Sequence, residues 1–206
     1  RLDRKWLAVA ARGLETPRAD MIHGLAAFRD GRIVAVARGQ SRRQVVVHLF
    51  APDGSQTLES DTTLGERLNG VVLPGSDSIV LSGYEDHTIK VWDVNNWGCL
   101  QTLVGHTNHV TRLAVLQDGG LASSSSDGTV KVWDTSNGTS LQTLRVMDVK
   151  YREDIVTCVA SLSDGRVVSG DSWGDLHTFN LANGSSQQIQ VLGREWIQCI
   201  AVLPGS

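Results

Sequence analysis

Short apolar segments and turn signals alternate along this chain at a nearly fixed spacing. The junctions read FRDGRI (28–33), LPGSDSI (73–79), LQDGGL (116–121) and LSDGRV (162–167), and LPGS returns at 203–206. Their leading residues, Phe28, Leu73, Leu116, Leu162 and Leu203, lie 45, 43, 46 and 41 positions apart. An Asp-Gly or Pro-Gly pair between two apolar runs is a hairpin signal, because glycine supplies the positive φ that a tight turn requires. Later in the period, TIKVWDV (88–94) and TVKVWDT (129–135) alternate apolar and polar positions as half-buried strands do. NNWG and SNGT mark another turn, and CLQTLVG (99–105) and SLQTLRV (140–146) supply another strand. The pattern predicts four strands per period.

Four antiparallel strands in about 40–45 residues, repeated, form the unit of a β-propeller, whose blades bury their faces against one another. The expected fold is all-β, with four full blades at 21–62, 63–104, 105–147 and 148–192. Residues 193–206 are expected to form the first strand of a next blade, and 1–20, with Trp6 in a third-strand position, the last strands of a preceding one. On this reading the chain, which starts at Arg1 and not at Met, is one partial propeller domain cut from a larger protein, with the remaining blades outside it.

The segment from Gly105-His106 through VTRLAVL (110–116) to LASSSSDGTVKVWD (121–134) resembles a WD40 repeat over its whole length. The preceding blade matches from Ser82 to Leu103, although Gly65-Glu66 stands where Gly-His is expected. The outer two are degenerate. Phe50 holds the Trp position in the first, and in the fourth Trp173 replaces the turn Asp while Phe179-Asn180 replaces Trp-Asp. The resemblance implies a hydrogen-bonded tetrad of His106, Ser123, Asp127 and Trp133. Its role would be structural, because a buried indole N–H needs an acceptor and stranding a polar group costs about 1–3 kcal/mol. Glu66 leaves the second blade, with Ser82, Asp86 and Trp92, short of its imidazole, so that blade is expected to be looser.

Composition narrows the function classes. The net charge is −3, so the chain as a whole presents no basic face to nucleic acid or to an anionic membrane. RGQSRR (38–43) is too short and isolated to change that. No apolar run approaches a membrane span. Cys99, Cys158 and Cys199 are widely spaced, without CxxC pairing, and fit a reducing compartment; cytoplasmic residence is expected, with the nucleus left open. Asn137-Gly138-Thr139 and Asn183-Gly184-Ser185 match a glycosylation sequon, but Asn-Gly between strands is first of all a turn signal. No phosphate-binding loop, nucleophile elbow or metal-ligand spacing occurs, so no catalytic residue, metal or cofactor is assigned.

Function is therefore expected at the rims. The family resemblance puts the loops before each first strand on the same rim as those between second and third strands. Candidate partner-binding residues there are Arg38, Arg42, Arg43, Tyr84, His109, Tyr151, Arg152, Trp173, Arg194 and Trp196. Aromatics beside arginines have the composition of interaction hot spots, and the arginines suit an acidic or phosphorylated peptide. The competing reading makes the arginines ordinary solvated charges and Trp173 a packing residue. The favoured function is a scaffold that binds proteins or peptides and assembles a complex. The alternatives are a substrate-receptor domain of a larger protein, such as a ubiquitin-ligase subunit, and an enzyme built on a propeller.

Overall fold

The computed structural model describes residues 22–38, 45–53, 55–62, 70–73, 76–83, 86–146, 155–190 and 195–202. These residues form sixteen strands in four antiparallel sheets, and no helix occurs among them. The first sheet holds β1 (Ile22–Ala27), β2 (Ile33–Arg38), β3 (Val45–Phe50) and β4 (Gln56–Thr62). The second holds β5 (Gly70–Val72), β6 (Ser78–Ser82), β7 (Ile89–Asp93) and β8 (Cys99–Leu103). β9 (Val110–Val115), β10 (Leu121–Ser125), β11 (Thr129–Trp133) and β12 (Ser140–Arg145) make the third. β13 (Val156–Ser161), β14 (Arg166–Asp171), β15 (Asp175–Asn180) and β16 (Ser186–Gln190) make the fourth. Within each sheet the strands pair in chain order. The first strands of successive sheets, β1, β5, β9 and β13, also lie side by side, as propeller blades require.

Local chemistry accounts for the turns. In the first hairpin of the third sheet the Gly119 N–H donates to Leu116 O, and the Asp118 carboxylate takes the Gly120 N–H. Phe28–Arg32 and Leu162–Arg166 repeat the arrangement, and Gly31, Gly119 and Gly165 sit at φ 93°, 87° and 83°. A β-carbon there would be strained, which explains the recurrent Asp-Gly. At the opposite ends Asn137 Oδ1 accepts both the N–H and the hydroxyl of Thr139, so Asn137 is engaged in turn chemistry.

Burial follows the alternation. One apolar cluster joins the first and second sheets through Val34, Val36, Leu49, Ile79 and Leu81, with Trp92 and Trp97 packed on it. A second, containing Leu113, Leu121 and Trp133, joins the second and third sheets. A third, containing Val130, Val132, Val156, Val167 and Phe179, joins the third and fourth. Each core is shared between neighbours, so a sheet owns only half of what holds it together.

Among the residues expected to form a next first strand, the described 195–202 form no strand. A strand needs a repeated ladder, whereas Ile197 makes a single backbone bond, its N–H to Asp171 O at 3.1 Å. Its placement still follows the repeat. Thr111 Oγ1 donates to Val156 O at 2.5 Å, and Thr157 Oγ1 donates to Ile197 O, so Ile197 meets the fourth sheet as Val156 meets the third. The preceding-blade strands expected at 1–20 lie outside the described residues.

Candidate functional site

The third sheet joins His106, Ser123, Asp127 and Trp133 in one chain of hydrogen bonds. The Trp133 indole N–H donates to Ser123 Oγ at 2.7 Å, and Ser123 Oγ lies 2.7 Å from His106 Nε2. His106 Nδ1 lies 2.8 Å from Asp127 Oδ2. Donors and acceptors balance for one neutral imidazole with its proton on Nδ1: indole to hydroxyl, hydroxyl to Nε2, Nδ1–H to carboxylate. Burial alone would push the Asp127 carboxyl up, but bonds from His106, Thr129 and the Thr107 N–H outweigh it and hold the group well below the ordinary carboxylate range. Thr129 is a member that sequence reasoning missed. Its hydroxyl donates to Asp127 Oδ1, and its position two residues after the turn Asp was the available signal.

The second and fourth sheets vary this theme. In the second, the Trp92 indole nitrogen is buried with no hydrogen-bond partner among the described residues, while Asp86 is held by Lys90 and the Thr88 N–H. In the fourth, Ser169 occupies the register of Ser123, but its buried hydroxyl has no partner among the described residues. The imidazole has moved instead. His177 Nε2 lies 2.9 Å from Asp171 Oδ2, both residues being buried. Asp171 Oδ1 also takes the N–H of Trp173 and of Asp175, so the carboxyl, which burial alone would push up, is held low. The signal was present: His177 precedes Phe179 by two residues, as His48 precedes Phe50, where the other sheets have Lys90 and Lys131.

Both loop classes meet on one rim. In the third sheet the Ser126 N–H donates to His109 O and Ser125 Oγ to Asn108 O; in the fourth the Ser172 N–H donates to Ile155 O. Two candidate aromatics are exposed there, Trp173 by 39% and Trp196 by 60%. Asp171 holds both segments, its carboxylate through the Trp173 N–H and its carbonyl through the Ile197 N–H. His109, half-buried, packs edge-on to His87 of the neighbouring sheet, with ring centroids 5.2 Å apart. His87 holds φ 58° where the equivalent turns have Gly128 and Gly174. The Arg38 backbone ends β2, but its side chain, and Arg42, Arg43, Tyr84, Tyr151, Arg152 and Arg194, lie outside the described residues. Trp97, on the opposite rim, packs over its turn against the first core cluster.

Blade-like sheets that share their cores, with a Trp–Ser–His–Asp chain tying the turns of one of them, define a propeller-type repeat protein. A family model described as "WD domain, G-beta repeat" matches residues 50–93 and 97–134. These two segments therefore carry WD40 repeats. The chain is 45% identical over 47 residues to an uncharacterised WD repeat-containing protein of Schizosaccharomyces pombe, covering 23% of this chain and 13% of that protein. It is 34% identical over 67 residues to coatomer subunit beta'-1 of Arabidopsis thaliana, covering 32% of this chain and 7% of the relative. The matched segments thus span only a small part of these longer relatives.

Proposed function

We propose that this chain is a protein-interaction scaffold that binds a peptide segment of its partners on the rim bearing Trp173 and Trp196. The observation that carries the reading is the shared anchorage of the two exposed indole-bearing segments on Asp171. Holding the backbone of both indole-bearing segments in place before binding lowers the entropy lost on association. The His–Ser–Asp set of the third sheet serves its tryptophan, so a nucleophilic triad has no free member there. One relative is named as a subunit of an assembly, which supports a scaffold. The family resemblance would put Arg42, Arg43, Arg152 and Arg194 in loops of the same rim classes, with Arg38 closing β2, which favours an acidic or phosphorylated peptide. The proposed setting is the cytoplasm.

The test is fluorescence polarisation with matched phosphorylated and unphosphorylated peptides drawn from partners identified by crosslinking. Trp173→Ala and Trp196→Ala should each weaken binding more than about tenfold without lowering the unfolding midpoint. Reversing Arg42 and Arg43 to Glu should remove the preference for phosphate. Unchanged affinity in both tryptophan variants would end the rim reading.

A further inference from the structure

The outermost strands of the four sheets differ in how they protect their free edges. An unpaired edge presents a row of N–H and C=O groups, and proteins normally guard it with charge, proline or distortion. β4 carries Glu59 and Asp61, and β12 carries Arg145. β16 is uncharged, but Ser and Gln dominate it. β8 is different: no Asp, Glu, Lys or Arg occurs between Asp93 and His106, and Leu100 and Val104 are 56% and 70% exposed. A register shift opposite Trp92 distorts only the start of the strand.

Beside this unguarded edge lies a cleft of about 360 Å³, at the low end of ligand-pocket sizes. Leu73, Val91 and Leu100 give it apolar walls; Gln101, Thr135 and Ser136 give it hydroxyl and amide groups. Among the described residues no charged side chain lines it. Gln101 Nε2 donates to Asn137 O of the third sheet at 3.2 Å, so the cleft is closed on that side by the next sheet's turn.

We propose that β8 is a docking edge for a short extended segment of a partner protein, which adds as a fifth strand and places one uncharged apolar side chain in the cleft. Main-chain pairing would supply affinity and the cleft specificity, a division of labour that strand addition uses generally. The uncharged lining decides the chemistry of the occupant, since burying an unpaired charge there would be strongly unfavourable. The five residues of β8 suit a short peptide better than the edge of a whole second sheet, whose pairing relies on length and on cross-strand contacts. This surface is separate from the tryptophan rim.

The probe is a fluorescein-labelled peptide, acetyl-Thr-Leu-Gln-Val-Thr-Leu-amide, titrated against the whole chain. Saturable binding is expected. Leu100→Lys should weaken it by more than about tenfold, while Leu141→Lys, at the same register of β12, should leave it unchanged. Methylating alternate backbone nitrogens of the peptide should abolish it. Thermal unfolding of Leu100→Lys serves as the control, since an exposed substitution should leave the midpoint in place. No saturable binding, equal binding by Leu100→Lys, or equal binding of the N-methylated peptide would overturn the proposal. So would sedimentation showing that the chain pairs with itself through β8 and that the peptide does not dissociate it.

Discussion

Ser123 and Ser169 occupy the same register in successive sheets, pairing with Lys131 and His177, yet their hydroxyls live in opposite circumstances. Ser123 accepts from Trp133 and bonds to His106; Ser169 is buried without a partner among the described residues. Ser123→Ala strands two buried groups and should cost about 2–4 kcal/mol, whereas Ser169→Ala should be neutral within about 0.5 kcal/mol or stabilising. Urea unfolding midpoints of the two variants provide the measurement. Asp127 and Asp171 add a pH dependence of definite sign. Both carboxyls titrate lower in the folded chain than in the unfolded one, because hydrogen bonds favour their ionised form. The stability they confer is complete above the unfolded value of about 3.9 and is lost as pH falls through the lower folded values. Acid unfolding should set in below about pH 4, and Asp127→Asn should flatten the slope of stability against pH in that window. An unchanged slope would remove Asp127 from the account.

At the scale of elements, the aromatic positions show how far the repeat is physical and not merely textual. Phe50, Trp92, Trp133 and Phe179 pair with Ile33, Ile79, Leu121 and Val167 on the second strand of each sheet. In three of the sheets the register slips at that residue on its outer side. A second element-level contact is fixed by what is missing. A β-carbon at Gly170 would stand 2.7 and 2.8 Å from Ile197 and 2.9 Å from the Cys158 sulfur. Gly170→Ala should therefore push residues 195–202 off the fourth sheet. The expected readout is faster hydrogen exchange at the Ile197 amide by more than about tenfold. Equal protection in the variant would mean that this close approach is not what seats the segment.

For the molecule as a whole, the family repeat and the sheet are out of phase. The matched segments begin at Phe50 and at Trp97, so each holds the outer strand of one sheet and the three inner strands of the next. Linking neighbouring sheets in this way adds covalent continuity to interfaces already joined by shared cores. Leu121 is fully buried between the second and third sheets, and Leu141 lies exposed on an outer strand. Leu121→Ala should cost about 2–5 kcal/mol, and Leu141→Ala should change stability by less than about 0.5 kcal/mol, read again as urea midpoints. A cost at Leu121 no larger than at Leu141 would contradict shared cores as the source of stability.

Much of this was legible before any coordinates. Strand number per period and the Asp-Gly hairpins follow from local alternation and turn chemistry, because each depends on residues near in sequence or on a fixed period; the four members of the third sheet's hydrogen-bond chain were implied by the resemblance to a WD40 repeat. Thr129 and the His177–Asp171 pair escaped, since a side chain two residues along a strand or across a turn joins a network only once the sheet sets its direction. Nor does alternation say whether a terminal apolar stretch becomes a strand: Ile197 lies where a strand would start, but a ladder exists only when a neighbour pairs with it. The amino-acid order alone determined the repeating sheets and their turns, which are short-range chemistry. Only the tertiary structure decided which indoles face solvent and which edge stands unguarded beside a cleft, because both depend on what the neighbouring sheet covers.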